Sequence, residues 1–252
     1  MAATRSMSAP KSLSHLSLKN FADHFRSEMV PLGNRFCYFA AAVSLSSDDL
    51  REYLDEPVAA IPPSIAALLP RIQIILVPYL AQVPLPPRSR RAPEFLIATE
   101  PPADELAGRF FSIMQGKEAV LAFAVKDAEI ADYHYRFYRA LAELVAGHPS
   151  GVPQGYLDIL HEELDSRAHG EVDEPAWVLK QDLDDSRRRF QLYARQSFID
   201  TLTLYLHGVC CDIDVETGPR QLPSHLLRKR LRFLKQLYPP PSGYAVLPED
   251  LR

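Results

Sequence analysis

The run His161-Glu162-Glu163-Leu164-Asp165-Ser166-Arg167-Ala168-His169 sets two imidazoles and three carboxylates within nine residues. On an α-helix the i, i+4, i+8 spacing of His161, Asp165 and His169 turns each about 40° from the last, so the three form one ridge. Helices present metal ligands this way, and Glu162 directly follows the first histidine, as the general base does in an HExxH metallopeptidase helix. The match is broken, because Asp165 stands where a second histidine is required. Two neutral imidazoles and a carboxylate would still hold zinc or another divalent ion with one position open to water, and Glu162 would deprotonate that water. A simpler reading makes the same residues a charged helix flank. Leu157, Leu160, Leu164 and Ala168 then supply the buried stripe, and Glu163 pairs with Arg167 on the surface for about 0.3–0.5 kcal/mol. The simpler reading is preferred.

A fourth candidate ligand, His134, lies in the segment 128–146. There Ile130, Tyr133, His134, Phe137, Tyr138, Leu141, Leu144 and Val145 share a broad apolar arc, opposite Glu129, Asp132, Arg136, Arg139 and Glu143. An imidazole inside that arc needs a hydrogen-bond partner or a metal. A bond to a tyrosine or a backbone carbonyl, making it core, is preferred.

The segment 184–209 carries another set. Asp200, Thr203 and His207 fall on its polar side near Gln196, with Cys210, Cys211, Asp212 and Asp214 following. A metal could use His207 with either cysteine, but no CxxC or HxxxH completes four ligands, so Cys210 and Cys211 are read as small apolar residues. Arg195 lies inside the apolar arc of this segment and is expected to pair with a neighbouring carboxylate. Serine and cysteine nucleophiles find no support: there is no GxSxG elbow, and Cys37 sits in an apolar run.

Composition excludes further classes. Neither GxGxxG nor GxxxxGK[ST] occurs, which argues against Rossmann and P-loop nucleotide sites. A net charge of −4 gives no overall pull toward nucleic acid or anionic membrane. Basic stretches at Arg187-Arg188-Arg189 and Arg228-Lys229-Arg230-Leu231-Arg232 lack the interleaved aromatics that stack on bases, so nucleic acid is not the expected partner. No apolar run approaches membrane-spanning length. Three cysteines, two of them adjacent, form no disulfide framework and suit a reducing cytosol.

The elements that must position these residues follow from periodicity. A tail at 1–15 precedes one α+β domain at 16–252, sheet-rich over 35–126 and helical over 127–238. Short helices are expected at Leu16–Met29, Asp48–Leu54 and after Pro62-Pro63, and strands at Arg35–Leu45, Ile72–Val77 and Glu94–Thr99. A hairpin joins Arg109–Met114 to Glu118–Val125 across Gly116. Pro78 marks the strand before it as a sheet edge, and Pro84–Pro93 forms an extended basic connector. Asp127 is placed to cap the helix around His134. Helices then run over Gly155–His169, from Pro175, over Asp184–Val209 and over Pro223–Tyr238. The expected fold is a small, mainly antiparallel N-terminal sheet packed on four or five C-terminal helices. The expected function is that of a cytosolic binding or regulatory protein acting on another protein or on itself. The alternative is a metal-dependent hydrolase with Glu162 as base and a divalent ion such as zinc on His161, Asp165, His169 and His134.

Overall fold

The computed structural model describes residues 17–84, 94–184, 186–211 and 220–245. The expected tail, nearly all of the proline-rich connector, and Asp212 and Asp214 lie outside the described residues. In chain order the elements are α1 (Leu18–His24), β1 (Val30–Leu32), β2 (Phe36–Ala40), α2 (Ser47–Leu50), α3 (Glu56–Ala59), α4 (Pro63–Leu68), β3 (Arg71–Val77), β4 (Tyr79–Gln82), β5 (Phe95–Ala98), β6 (Ala107–Gly108), β7 (Phe110–Gln115), β8 (Glu118–Ala124), α5 (Ile130–Ala146), α6 (Gln154–Asp165), α7 (Glu174–Gln181), α8 (Arg187–Cys210) and α9 (Ser224–Leu237). A turn of π-helix at Arg51–Asp55 joins α2 to α3. The chain divides into two compact units, one of residues 1–55 and 70–136, the other of 56–69 and 137–252.

The first unit is built on a five-stranded sheet in the order β1-β2-β3-β8-β7, beside a three-stranded sheet, β5-β4-β6. Among the described residues the outer pairings of the larger sheet and both pairings of the smaller are antiparallel. The two central ones, β2 with β3 and β3 with β8, are parallel. Antiparallel pairings predominate as expected among the described residues, four against two, and the two parallel ones arise because the chain between β2 and β3 is helical and long enough for a crossover. Pro78 does not mark an edge, since β3 is central and its last paired residue is Val77. Proline just past the ladder withholds no N–H that the ladder needs. Buried on both faces, β3 reads as the continuous run Ile72-Gln73-Ile74-Ile75-Leu76-Val77 of a strand flanked on both sides. The hairpin forms as expected: Gln115 pairs with Glu118 across Gly116-Lys117, with Gly116 at φ 63°. Ser46 and Asp49 form a reciprocal capping box on α2.

The second unit is helical, and its interior holds charge. Arg230 of α9 is fully buried. Its Nε and Nη2 donate to Glu163 of α6 at 3.0 and 2.5 Å, and its Nη1 and Nη2 donate to Glu171 at 2.8 and 3.0 Å. Lys180 of α7, its side chain 8% exposed, reaches Glu171 at 3.4 Å, so two cations meet two buried carboxylates. Hydroxyls complete the set: Tyr193 donates to Glu171, and Ser197 accepts from Arg230 Nη1 at 2.8 Å. Glu171 reaches this interior because Gly170 precedes it at φ 77°, where a Cβ would lie 2.2 Å from the Gln221 carbonyl oxygen. That close approach lets Glu171 N–H donate to the Arg220 carbonyl and its own carbonyl accept from Leu222 N–H, both at 3.0 Å.

Two sequence expectations are corrected here. Arg195 is exposed, and the buried arginine is Arg230, which falls between Leu227, Leu231 and Leu234 on the apolar stripe of α9. Glu163 does not serve a surface pair with Arg167. It is buried against Arg230, while Arg167 lies exposed past the end of α6 in a left-handed conformation, φ 54°.

Removing Arg230 alone would strand Glu163 and Glu171 in the interior. Arg230→Met is expected to cost about 3–5 kcal/mol by urea denaturation. The triple variant Arg230→Met with Glu163→Leu and Glu171→Met removes both stranded carboxylates, leaves Lys180 its hydrogen bond to the Gly170 carbonyl at 2.9 Å, and recovers most of that loss. Equal losses in the single and triple variants would contradict the network.

Candidate functional site

The proposed metal ridge does not assemble. His161 is exposed on α6, and its ring stacks on Phe190 of α8 with centroids 4.3 Å apart. Asp165 is the last residue of that helix, and His169 lies beyond its cap at Ser166, so the i, i+8 relation is broken before it reaches His169. Arg167 at positive φ turns the backbone away from the helical path. Among the described residues, His161, Asp165 and His169 do not bring three ligand atoms within reach of one ion. Glu162, the expected base, is ion-paired with Lys229 of α9. His134 belongs to the first unit, where its Nε2 lies 2.8 Å from the Glu52 carbonyl oxygen, the backbone partner that a core imidazole requires.

The second set is more enclosed than its polar periodicity implied. Asp200 and Thr203 are buried, and Thr203 donates its hydroxyl proton to the Ile199 carbonyl at 2.8 Å. One oxygen of Asp200 accepts from Arg139 at 3.1 Å and from Gln196 at 2.7 Å; the other, buried, has no hydrogen-bond partner. Burial outweighs the Arg139 guanidinium, and the Asp200 carboxyl is pushed up to about 6. Arg139 also meets Asp173 at 3.5 Å and Glu143 at 3.6 Å. At the far end of α8 the Cys210 thiol is pulled down to about 7, first by its hydrogen bond with the Cys211 thiol. A ring nitrogen of His207 lies within 4.8 Å of the Cys211 sulfur. Burial pushes the Cys37 thiol up, as suits a core residue in β2.

The exposed chemistry of this unit gathers at the start of α8. Leu179 and Asp182, at the end of α7, and Arg189 and Leu192 of α8 line a cleft of about 360 Å³. Leu192 is 51% exposed, and Val178 on the same α7 turn is 46% exposed. Arg189 is fixed from below, donating to the Asp182 carbonyl at 2.9 Å and pairing with Asp184 at 3.3 Å. Arg187, Arg188 and Arg195 stand exposed, and Arg188, Leu192 and Arg195 recur at i, i+4, i+7 on one ridge of α8. The sequence reading takes the Arg187–Arg189 run as no nucleic-acid site and does not reach Leu192. The signal that could have found this surface is a leucine standing alone between two arginines at helical spacing.

Because Asp200 is harder to ionise folded than unfolded, the folded state holds a proton that the unfolded chain releases from about pH 4. Its stabilising share is therefore present below pH 4, falls as pH rises through about 6, and stays lost above. Asp200→Asn is expected to raise Tm at pH 8 by the equivalent of up to about 2–3 kcal/mol, and to change it little at pH 4.5. An equal shift at both pH values would contradict that assignment. Family models, curated proteins and solved structures, each compared with this chain, give no match.

Proposed function

We propose that the protein is a binding or regulatory protein that works through protein–protein contacts. Its second unit presents the α7–α8 face to an acidic partner segment carrying an apolar anchor. The observation that carries the reading is the half-exposed Leu192, which lines a cleft with Arg189 and is flanked along α8 by Arg188 and Arg195. An apolar side chain half in water beside a cleft is what an interface anchor fills. Arg188 and Arg195, exposed on the same ridge of α8 as Leu192, favour a negative partner, raising the rate of encounter and fixing its register. The helices under the face are held by the Arg230 network, so the surface is pre-ordered and binding loses little conformational freedom.

The hydrolase alternative draws no comparable support, because Glu162 is paired with Lys229 and His161, Asp165 and His169 do not converge on one point. No disulfide joins Cys37, Cys210 or Cys211, and a reducing cytosol is the compartment this reading assigns. Among the described residues no helix is long and apolar enough to cross a membrane.

The reading is tested by fluorescence polarisation with a short labelled peptide of leucine and glutamate. Binding should weaken steeply with salt, and Leu192→Asp should lower affinity by roughly 10-fold or more, about 1.4 kcal/mol. Arg188→Glu should act in the same direction, while Leu237→Asp, at the far end of α9, should not. Unchanged affinity in Leu192→Asp, or no binding at low salt, would overturn the proposal. Self-association through this face would register as a dimer by light scattering that Leu192→Asp dissolves.

A further inference from the structure

The parallel strands of the first unit end level with one another. Ala40 of β2 is opposite Leu76 of β3, and Leu76 is opposite Phe123 of β8, so three carboxyl ends open on one edge of the sheet. Ligands of parallel sheets bind outside that edge, in crevices formed by the loops that leave the strands. Such a crevice is present, with a volume of about 400 Å³, within the range of small-molecule sites. Val43 and Ser44 after β2, Pro78 after β3, and Val125 and Lys126 after β8 line it, joined by Tyr53 and by Thr99 after β5.

Two further observations fall at this edge. Ala42 and Asp127, in the loops leaving β2 and β8, hold left-handed backbone at φ 56° and 58°, a conformation L residues adopt at a conformational cost. Asp127 is braced there: the Tyr79 hydroxyl donates to its carboxylate at 2.7 Å, and Arg109 donates to its carbonyl at 3.2 Å. Strained residues held by their surroundings collect where a loop must keep one shape for a ligand.

The lining sets the ligand class. Val43, Pro78 and Val125 offer an apolar wall with the Tyr53 ring, and Ser44 and Thr99 bring hydroxyls. Lys126 is the single cation among the lining residues. Asp49 also lines the crevice, but its carboxylate already accepts from the Ser46 N–H and hydroxyl, both at 2.8 Å. The Ser46 bonds hold the Asp49 charge in place rather than cancel it, so the lining is close to neutral overall, and Lys126, its ammonium 5.6 Å from the Tyr79 ring centroid, can match at most one ligand charge. A phosphate dianion would ask for more, and neither a glycine-rich loop nor a second basic residue is present in the lining. We infer that the carboxyl edge of the first unit binds a small monocarboxylate with an apolar body, the carboxylate on Lys126, Ser44 and Thr99 and the body against Val43, Pro78 and Val125.

The test uses the full chain, with phenylacetate and hexanoate as probes, and follows valine methyl resonances by NMR. Saturable shifts of Val43 and Val125 are expected with both acids, and phenylacetamide should bind at least roughly 10-fold more weakly. Lys126→Gln, at an exposed position, should lower phenylacetate affinity by a similar factor and leave the amide unchanged. Ser44→Trp should abolish both by filling the crevice. Because every lining residue lies in the first unit, Leu192→Asp should leave these titrations unaltered, which separates this outcome from the peptide test. No saturable shift with either acid, an amide that binds as well as the acid, phenyl phosphate that binds more tightly than phenylacetate, or an unchanged Lys126→Gln would each overturn the assignment.

Discussion

A guanidinium with no access to water must be satisfied from within the protein, and Arg230 is satisfied by groups brought from three other stretches of chain. Glu163 comes from α6, Glu171 from the turn before α7, Ser197 from α8 and the arginine itself from α9. Burying a single charge is prohibitive; burying two cations with two carboxylates is tolerable when each lone pair and proton finds a partner. The arrangement specifies geometry more than it adds net stability, since an apolar set of equal volume would pack as well. A helix shifted by one residue would leave a charge uncompensated, so the network selects one register for α6, α8 and α9. The α7–α8 face depends on that register, because Leu179 and Leu192 border the same cleft only when both helices are held in place.

This dependence changes the meaning of the histidine-rich helix. Seen as a string, residues 161–169 offer a ligand ridge and a general base. In the fold, the third residue of the run is the important one: Glu163 is drawn inward, which turns His161, Glu162 and Asp165 outward to water. The three cannot face the interior together with Glu163, because about 100° separates each residue of a helix from the next. Glu162 and Lys229 then form an exposed cross-helix pair that reinforces α6 against α9, a modest contribution at a screened surface.

Much of the architecture was legible because it follows from period and punctuation. The apolar arc of α5, the Gly116 hairpin and the proline that opens α7 are local signals read over a few residues. The charged interior was only half legible. Arg230 sits on the leucine stripe of α9, and that position marks it as buried; its partners, 59 and 67 positions away, leave no local trace. Arg195 was misplaced for the opposite reason: the arc of α8 is wide, and its border cannot be told from its centre when aromatic and small residues alternate. Asp127 was taken for a helix cap, but its carboxylate accepts from Tyr79, forty-eight residues earlier, and α5 begins at Ile130. The parallel pairing of β2, β3 and β8 was invisible to periodicity, which separates buried strands from half-buried ones but not their direction.

The central claim is that Glu171 is an ionised, fully engaged partner of Arg230 rather than a carboxyl kept neutral by burial. Burial alone would raise its pKa, while Arg230, the Tyr193 hydroxyl and Lys180 together hold it below the ordinary glutamate range. Its stabilising share is then present above the unfolded value, near about 4.3, and is lost as pH falls through the lower folded value. A carboxyl carbon-13 titration of the folded protein reads this directly. The account predicts a Glu171 midpoint below about 4.3, with acid unfolding following its protonation. A midpoint at or above the ordinary value would contradict it.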